Sequence, residues 1–178
     1  TQATKDLLDI MLLDSAKLQE EEAEYAFKKG YSKHEKPAPL YTTEDVSAML
    51  PFLTGYAYRE EVQIAPNISV KFYDAGHILG SAIVELTIKG DSQTKKIVFS
   101  GDLGRYNKPI LRNPSSISQA DILLVESTYG NRDNPVDNPK ELFAKVVNEA
   151  FAQGGCLLIP AFAVGRTQSL IFYLKQLI

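Results

Sequence analysis

Three short blocks constrain this chain more than anything else in it: Tyr73-Asp74-Ala75-Gly76-His77-Ile78-Leu79-Gly80-Ser81, Ser100-Gly101-Asp102-Leu103-Gly104-Arg105 and Glu126-Ser127-Thr128-Tyr129-Gly130. Each follows an apolar run. Each ends in small residues that frame a side chain able to ligate a metal or move a proton. Loops at the ends of buried strands are where an α/β protein mounts its site, so the blocks call for strands that end close together. One well-placed His and a few carboxylates fall short of the donors that close a zinc site. The blocks therefore read as part of an active site.

The rest of the pattern agrees with α/β. Residues 3–29 predict one long helix, with Leu7, Ile10, Met11, Leu18 and Tyr25 near helical spacing. Lys28 and Lys29 suit its last turn, and Gly30 supplies the stop. Pro37 and Pro39 mark residues 31–41 as a loop. Thr42-Thr43-Glu44-Asp45 opens a short helix that ends near Pro51. Strands are predicted at Val62–Ile64, Ile68–Tyr73, Ala82–Ile88 and Ile97–Ser100, as an antiparallel meander with a turn at Gly90-Asp91. Asp121–Val125 and Cys156–Ile159 read as short strands of the fully buried kind. Asn138 and Pro139 suit the cap and first position of a helix that closes at Gly154-Gly155. A further helix is predicted over 164–178.

Composition narrows the partners. Nineteen basic and 22 acidic residues leave a net charge of -3, so no global basic field draws in a nucleic acid. A polyanionic substrate needs a local site or a metal. The single cysteine, Cys156, excludes an internal disulfide framework and suits a reducing, cytoplasmic compartment. It reads as a core residue. No apolar run approaches the roughly 18 residues of a membrane-spanning helix, and no signal peptide is visible. The sequence opens on Thr1 rather than Met.

Each candidate site residue has two readings on local grounds. His77, between Gly76 and Gly80, is either a metal ligand or a loop histidine bonded to a carbonyl. Asp102, between Gly101 and Gly104, either bridges cations or caps its own turn. Asp74 is a third candidate donor or a support for the loop. Glu126, at a strand end, either orients a histidine or acts as an acid, or it is bonded to backbone amides. Gly165-Arg166-Thr167-Gln168 opens the last helix, where free amides and Arg166 suit a phosphate. No Walker A loop is present. His34 reads as solvated surface.

Together these blocks resemble the β-CASP branch of the metallo-β-lactamase superfamily, which includes RNA-processing nucleases. The likeness runs nearly end to end. Ala3 to Ala16 is similar to the family's helix after its first metal motif. Ala75-Gly76-His77-Ile78-Leu79-Gly80-Ser81-Ala82 is similar to the third metal motif, and Ser100-Gly101-Asp102-Leu103-Gly104 to the fourth. Glu126-Ser127-Thr128-Tyr129-Gly130 resembles motif A of the β-CASP part. Ile159-Pro160-Ala161-Phe162-Ala163-Val164-Gly165-Arg166 resembles the entry to the inserted domain.

The resemblance implies an α/β fold, part of an αββα sandwich. Residues 1–153 would belong to the metallo-β-lactamase domain and 154–178 would begin the β-CASP insertion. It implies two zinc ions, with His77 a terminal ligand on one and Asp102 bridging both. A hydroxide between the metals would attack the scissile phosphorus. Glu126 and Asp102 are the implied catalytic residues, Glu126 orienting a histidine that protonates the leaving oxygen. Arg166, Ser127 and Thr128 would touch the substrate. The implied partner is single-stranded RNA, with no membrane and room for a homodimer. The family's His-x-His-x-Asp-His motif belongs just ahead of Thr1, and its later histidine motifs beyond the insertion. The 178 residues are therefore expected to be a piece of a larger zinc-dependent ribonuclease, inactive alone. A non-catalytic scaffold, or a hydrolase of a small thioester or lactam, are the rival readings.

Overall fold

The computed structural model of the chain describes residues 1–133 and 138–177. Ile178, at the end of the last predicted helix, lies outside the described residues. The long first helix, α1, spans Gln2–Lys29. The Thr1 hydroxyl accepts from the Thr4 amide at its start, and Gly30 ends it in the left-handed conformation, φ 65. That conformation is costly for residues with a Cβ, which is why glycine serves here. Helix α2, Thr43–Met49, opens on a full capping box: Thr42 accepts from the Asp45 amide while Asp45 accepts from the Thr42 amide. A single 3-10 turn, Leu50–Phe52, follows with Pro51 inside it.

Five strands then build one sheet in sequence order: β1 Glu61–Ala65, β2 Ile68–Asp74, β3 Ala82–Lys89, β4 Thr94–Phe99 and β5 Ile122–Leu124. β1 to β4 form the expected antiparallel meander. β5 runs parallel to β4, with Ile97 opposite Ile122 and Phe99 opposite Leu124. A parallel neighbour cannot follow through a tight turn. The chain accordingly makes a long return over residues 100–121, and this return carries Asp102. Asp121 fixes where β5 begins. Its carboxylate accepts from the Lys96 amide at 2.8 Å and from Lys95 Nζ at 3.0 Å, and its own amide donates to the Lys96 carbonyl.

The core sits at the site end of the sheet. Ala75, Ile83 and Val98 are buried, with Tyr73, Leu103 and Ile117 packed against them. Ile83 lies opposite Tyr73, and Glu85 opposite Val98, so these side chains share a face. Glu85 is 4 % exposed, and its carboxylate is paired with Lys96 at 3.5 Å, as burial of a charge requires. α3, Pro139–Ala152, is capped by Asn138 as predicted. α4 runs Arg166–Leu177. No helix among the described residues is long and apolar enough to cross a membrane.

Three expectations are corrected. Cys156–Ile159 is not a strand but irregular and exposed, with Leu158 at 86 %. An apolar run of four residues becomes a strand only where a sheet edge offers ladder bonds, and none reaches this segment among the described residues. Cys156 is accordingly exposed rather than in the core. β5 is a strand but not a buried one: Ile122, Leu123 and Leu124 are all about half exposed, and among the described residues β4 is the only strand paired with it.

Candidate active site

The site is a junction of tied turns. β2 ends at Asp74, whose carboxylate accepts from the Gly76 amide at 2.8 Å. Asp74 therefore supports the loop. Gly76 takes φ 64, with the Arg112 carbonyl and Pro114 occupying the space a Cβ would need. The turn closes through Ser81: its hydroxyl accepts from the His77 amide at 3.1 Å and the Ile78 amide at 3.3 Å. The Ala75 amide donates to the Ser81 carbonyl at 3.2 Å, joining the two ends of the turn. The backbone of His77 is thus fixed. Its half-buried ring makes no hydrogen bond to any described residue, and so none to a carbonyl.

The second turn is strapped to the first. The Gly104 amide donates to the Ala75 carbonyl at 2.7 Å. Asp102, two residues earlier, is exposed, and its carboxylate has no hydrogen-bond partner among the described residues. The turn-capping role open to it on sequence grounds is not used.

Glu126 closes the triangle. Its amide donates to Ser100 Oγ at 3.0 Å, and Ser100 Oγ donates in turn to the Gly101 carbonyl at 2.7 Å. The Glu126 carboxylate accepts the Leu103 amide. That bond holds the carboxyl below the usual range, against a desolvation that opposes it. The Thr128 hydroxyl, the His77 charge and the Thr128 amide add to the lowering.

Two helix starts border the junction. The hydroxyls of Thr1 and Thr4 both donate to the Gly80 carbonyl, at 2.9 and 3.0 Å, which brings the head of α1 onto the His77 turn. Gly165, just before α4, lies so close to Ile78 that a Cβ would sit 3.2 Å from its side chain. The amides at the start of α4 are not all free for an anion, since Gly165 donates to Gln168 Oε1 at 2.7 Å. Arg166 reaches the Pro160 carbonyl at 3.4 Å. Ser127 and Thr128 lie in the turn after Glu126, which closes with the Gly130 amide on the Ser127 carbonyl at 2.9 Å. Tyr129, at φ 58, stacks against the Arg132 guanidinium at 4.0 Å.

Imidazole and carboxylate are donors that suit zinc. Their number does not suffice: no group of three or more His, Cys, Asp or Glu among the described residues could hold a metal. His77, Asp102 and Glu126 are brought to one junction, and Arg166 borders it through Gly165. Ser81 and Ser100, which position the turns, carried no recognisable signal in the sequence. A hydroxyl beside a glycine is common, and it gains a role only from its partners: the His77 and Ile78 amides for Ser81, and the distant Glu126 amide for Ser100.

The chain is similar in sequence to known proteins. No family model matches the chain. It is 33% identical over 171 residues to an RNase J-like protein of Methanocaldococcus jannaschii, a match spanning 86% of this chain and 40% of that protein. It is 34% identical over 175 residues to ribonuclease TTHA0252 of Thermus thermophilus, spanning 98% of this chain and 36% of the relative. Transcription termination factor FttA of Methanocaldococcus jannaschii is 32% identical over 181 residues, 99% of this chain and 26% of the relative. The chain thus spans two fifths or less of the length of these curated relatives. The fold and the relatives define a partial metallo-β-lactamase-type α/β domain. The chain belongs to the β-CASP branch of the metallo-β-lactamase superfamily.

Proposed function

We propose that the chain forms part of a zinc-dependent enzyme that hydrolyses phosphodiester bonds of single-stranded RNA in the cytoplasm. The observation that carries this reading is the strapping of the His77 and Asp102 turns by the Gly104–Ala75 bond, with Glu126 fastened to the same strap. Two of the relatives are named as ribonucleases or like one, which supports RNA as the substrate.

In this reading His77 and Asp102 would hold zinc, with the remaining donors not among the described residues. The head of α1 rests on the Gly80 carbonyl, beside the His77 turn. Bound zinc would polarise the scissile phosphodiester and offset its charge. Glu126, kept ionised by the Leu103 amide, is suited to accept an N–H and so orient a histidine; it is poorly suited to donate a proton. Ser127 and Thr128, in the turn after Glu126, and Arg166, at the start of α4, would contact the strand. Residues 1–153 would form the metallo-β-lactamase part, and 154–178 the start of the β-CASP insertion. With only two protein donors, the 178 residues alone would bind zinc weakly and cleave nothing.

The test is an assay of the full-length protein on end-labelled single-stranded RNA and on a chromogenic lactam, with zinc and after chelation. RNA cleavage that stops on chelation and returns with zinc is the expected result. Lactam turnover without RNA cleavage, or RNA cleavage indifferent to chelation, would sink the reading.

A further inference from the structure

A cavity of about 360 Å³ opens beside the His77 turn, on chemistry that the junction above does not use. Arg59, Arg112, Asn113, Ser115 and Ser116 line it. Arg59 and Arg112 come from distant parts of the chain, and β2 brings them together. The Arg59 amide donates to the Phe72 carbonyl at 2.7 Å, and the Ser115 amide to the Asp74 carbonyl at 2.8 Å. Arg59 is held at φ 68, and the loop that leads to Arg112 passes through Asn107 at φ 59 and Ile110 at φ 73. Such angles are uncommon for residues other than glycine and asparagine, so those of Arg59 and Ile110 mark backbone that its surroundings hold. The Asn107 amide donates to Asn113 Oδ1 at 2.8 Å, which folds that loop onto itself. The result is a pinned wall rather than a loose basic loop.

The charge is poised for an anion. Among the described residues, neither guanidinium forms an ion pair with a carboxylate. Arg59 leans over the Tyr73 ring at 5.9 Å, which stabilises it without neutralising it. Asp74 also borders the cavity as one carboxylate against the two guanidinium groups, and the Gly76 amide ties its Oδ1 to the His77 turn. Two guanidinium forks with serine hydroxyls and an asparagine amide around them match the acceptor oxygens of a phosphate. In a chain of net charge -3 such a site must be local.

The geometry points to a phosphate subsite in which Arg59 and Arg112 grip a phosphodiester of the RNA strand whose neighbouring nucleotides reach the His77 turn. The cavity and that turn share a wall, since Arg112 and Pro114 pack against Gly76, next to His77. The subsite therefore sets where along the strand the reacting bond falls. This inference rests on the RNA reading proposed above.

The test measures binding of a fluorescent single-stranded RNA by anisotropy across a salt series. Wild type is compared with Arg59→Ala, Arg112→Ala, both lysine replacements, and Lys17→Ala on the exposed face of α1 as control. Each alanine variant should bind about tenfold more weakly, with the salt slope falling by about 0.7 for one lost phosphate contact. The lysine variants should recover part of the loss, and Lys17→Ala should change nothing. Circular dichroism melts establish that the variants are folded. Unchanged affinity and slope in folded alanine variants would overturn the subsite and leave the RNA reading standing. Absence of RNA binding in wild type would overturn both. A parallel titration with inorganic phosphate, followed at the Ser115 and Ser116 amides, separates sources: shifts there with RNA binding insensitive to both arginines would mean a free-anion site and overturn the strand subsite.

Discussion

Gly104 lies against Gly76 so closely that a Cβ on Gly104 would run into the Gly76 carbonyl oxygen. The two glycines are what allow the Asp102 turn to be strapped to the His77 turn. Gly104→Ala should force the turns apart and cost about 3 kcal/mol, near the upper end for overpacking. Chemical denaturation checks this. A variant as stable as wild type would mean that the turns separate freely and that the strap does not hold the site.

Ser100 is 5 % exposed and satisfies the Glu126 amide. Ser100→Ala leaves that amide without a partner, at a cost of about 1–3 kcal/mol. Hydrogen exchange at the Glu126 amide should accelerate more than exchange in β2 or β3. Uniform acceleration across the sheet would instead point to a general loss of packing.

Asp121 gives a pH signature. Its carboxyl is held below the usual range by the Lys96 amide first and then by Lys95. A depressed folded value contributes stability above the unfolded carboxylate range, about 3.9, and loses it as pH falls through the folded value. The stability gap between wild type and Asp121→Asn should therefore be flat near neutrality and shrink below about pH 4. Melting curves at stepped pH read this directly, and a gap that widens in acid would contradict the assignment.

The proposed zinc role of His77 and Asp102 predicts that losing either side chain acts on metal before it acts on fold. In the full-length protein, His77→Ala and Asp102→Ala should each weaken zinc binding more than about 100-fold, while the melting point of the zinc-free protein hardly moves. Neither side chain has a hydrogen-bond partner among the described residues whose loss would matter. Competition against a chromophoric chelator gives the affinity.

Glu126→Gln keeps the shape and removes the charge. RNA cleavage should fall about 100-fold, the scale of a lost acid–base partner. Zinc content should stay unchanged. Loss of zinc along with activity would move Glu126 from the orienting role to the metal shell.

Much of this was legible in the sequence because it depends on neighbours along the chain. Caps, turns and strand periodicity are local, so α1, the Thr42 capping box, the meander and the Asn138-Pro139 helix start are where spacing puts them. The three blocks could be recognised as strand-end turns for the same reason. What covers an apolar run is not local. Ile122–Leu124 and Cys156–Ile159 have the same apolar character, yet one finds β4 and becomes a strand while the other finds no ladder. The strap between Gly104 and Ala75, the grip of Leu103 on Glu126 and the meeting of Arg59 with Arg112 were decided only by tertiary structure. Each joins groups far apart in the chain, and no residue carries a mark of which distant amide, carbonyl or charge the folded sheet will bring to it.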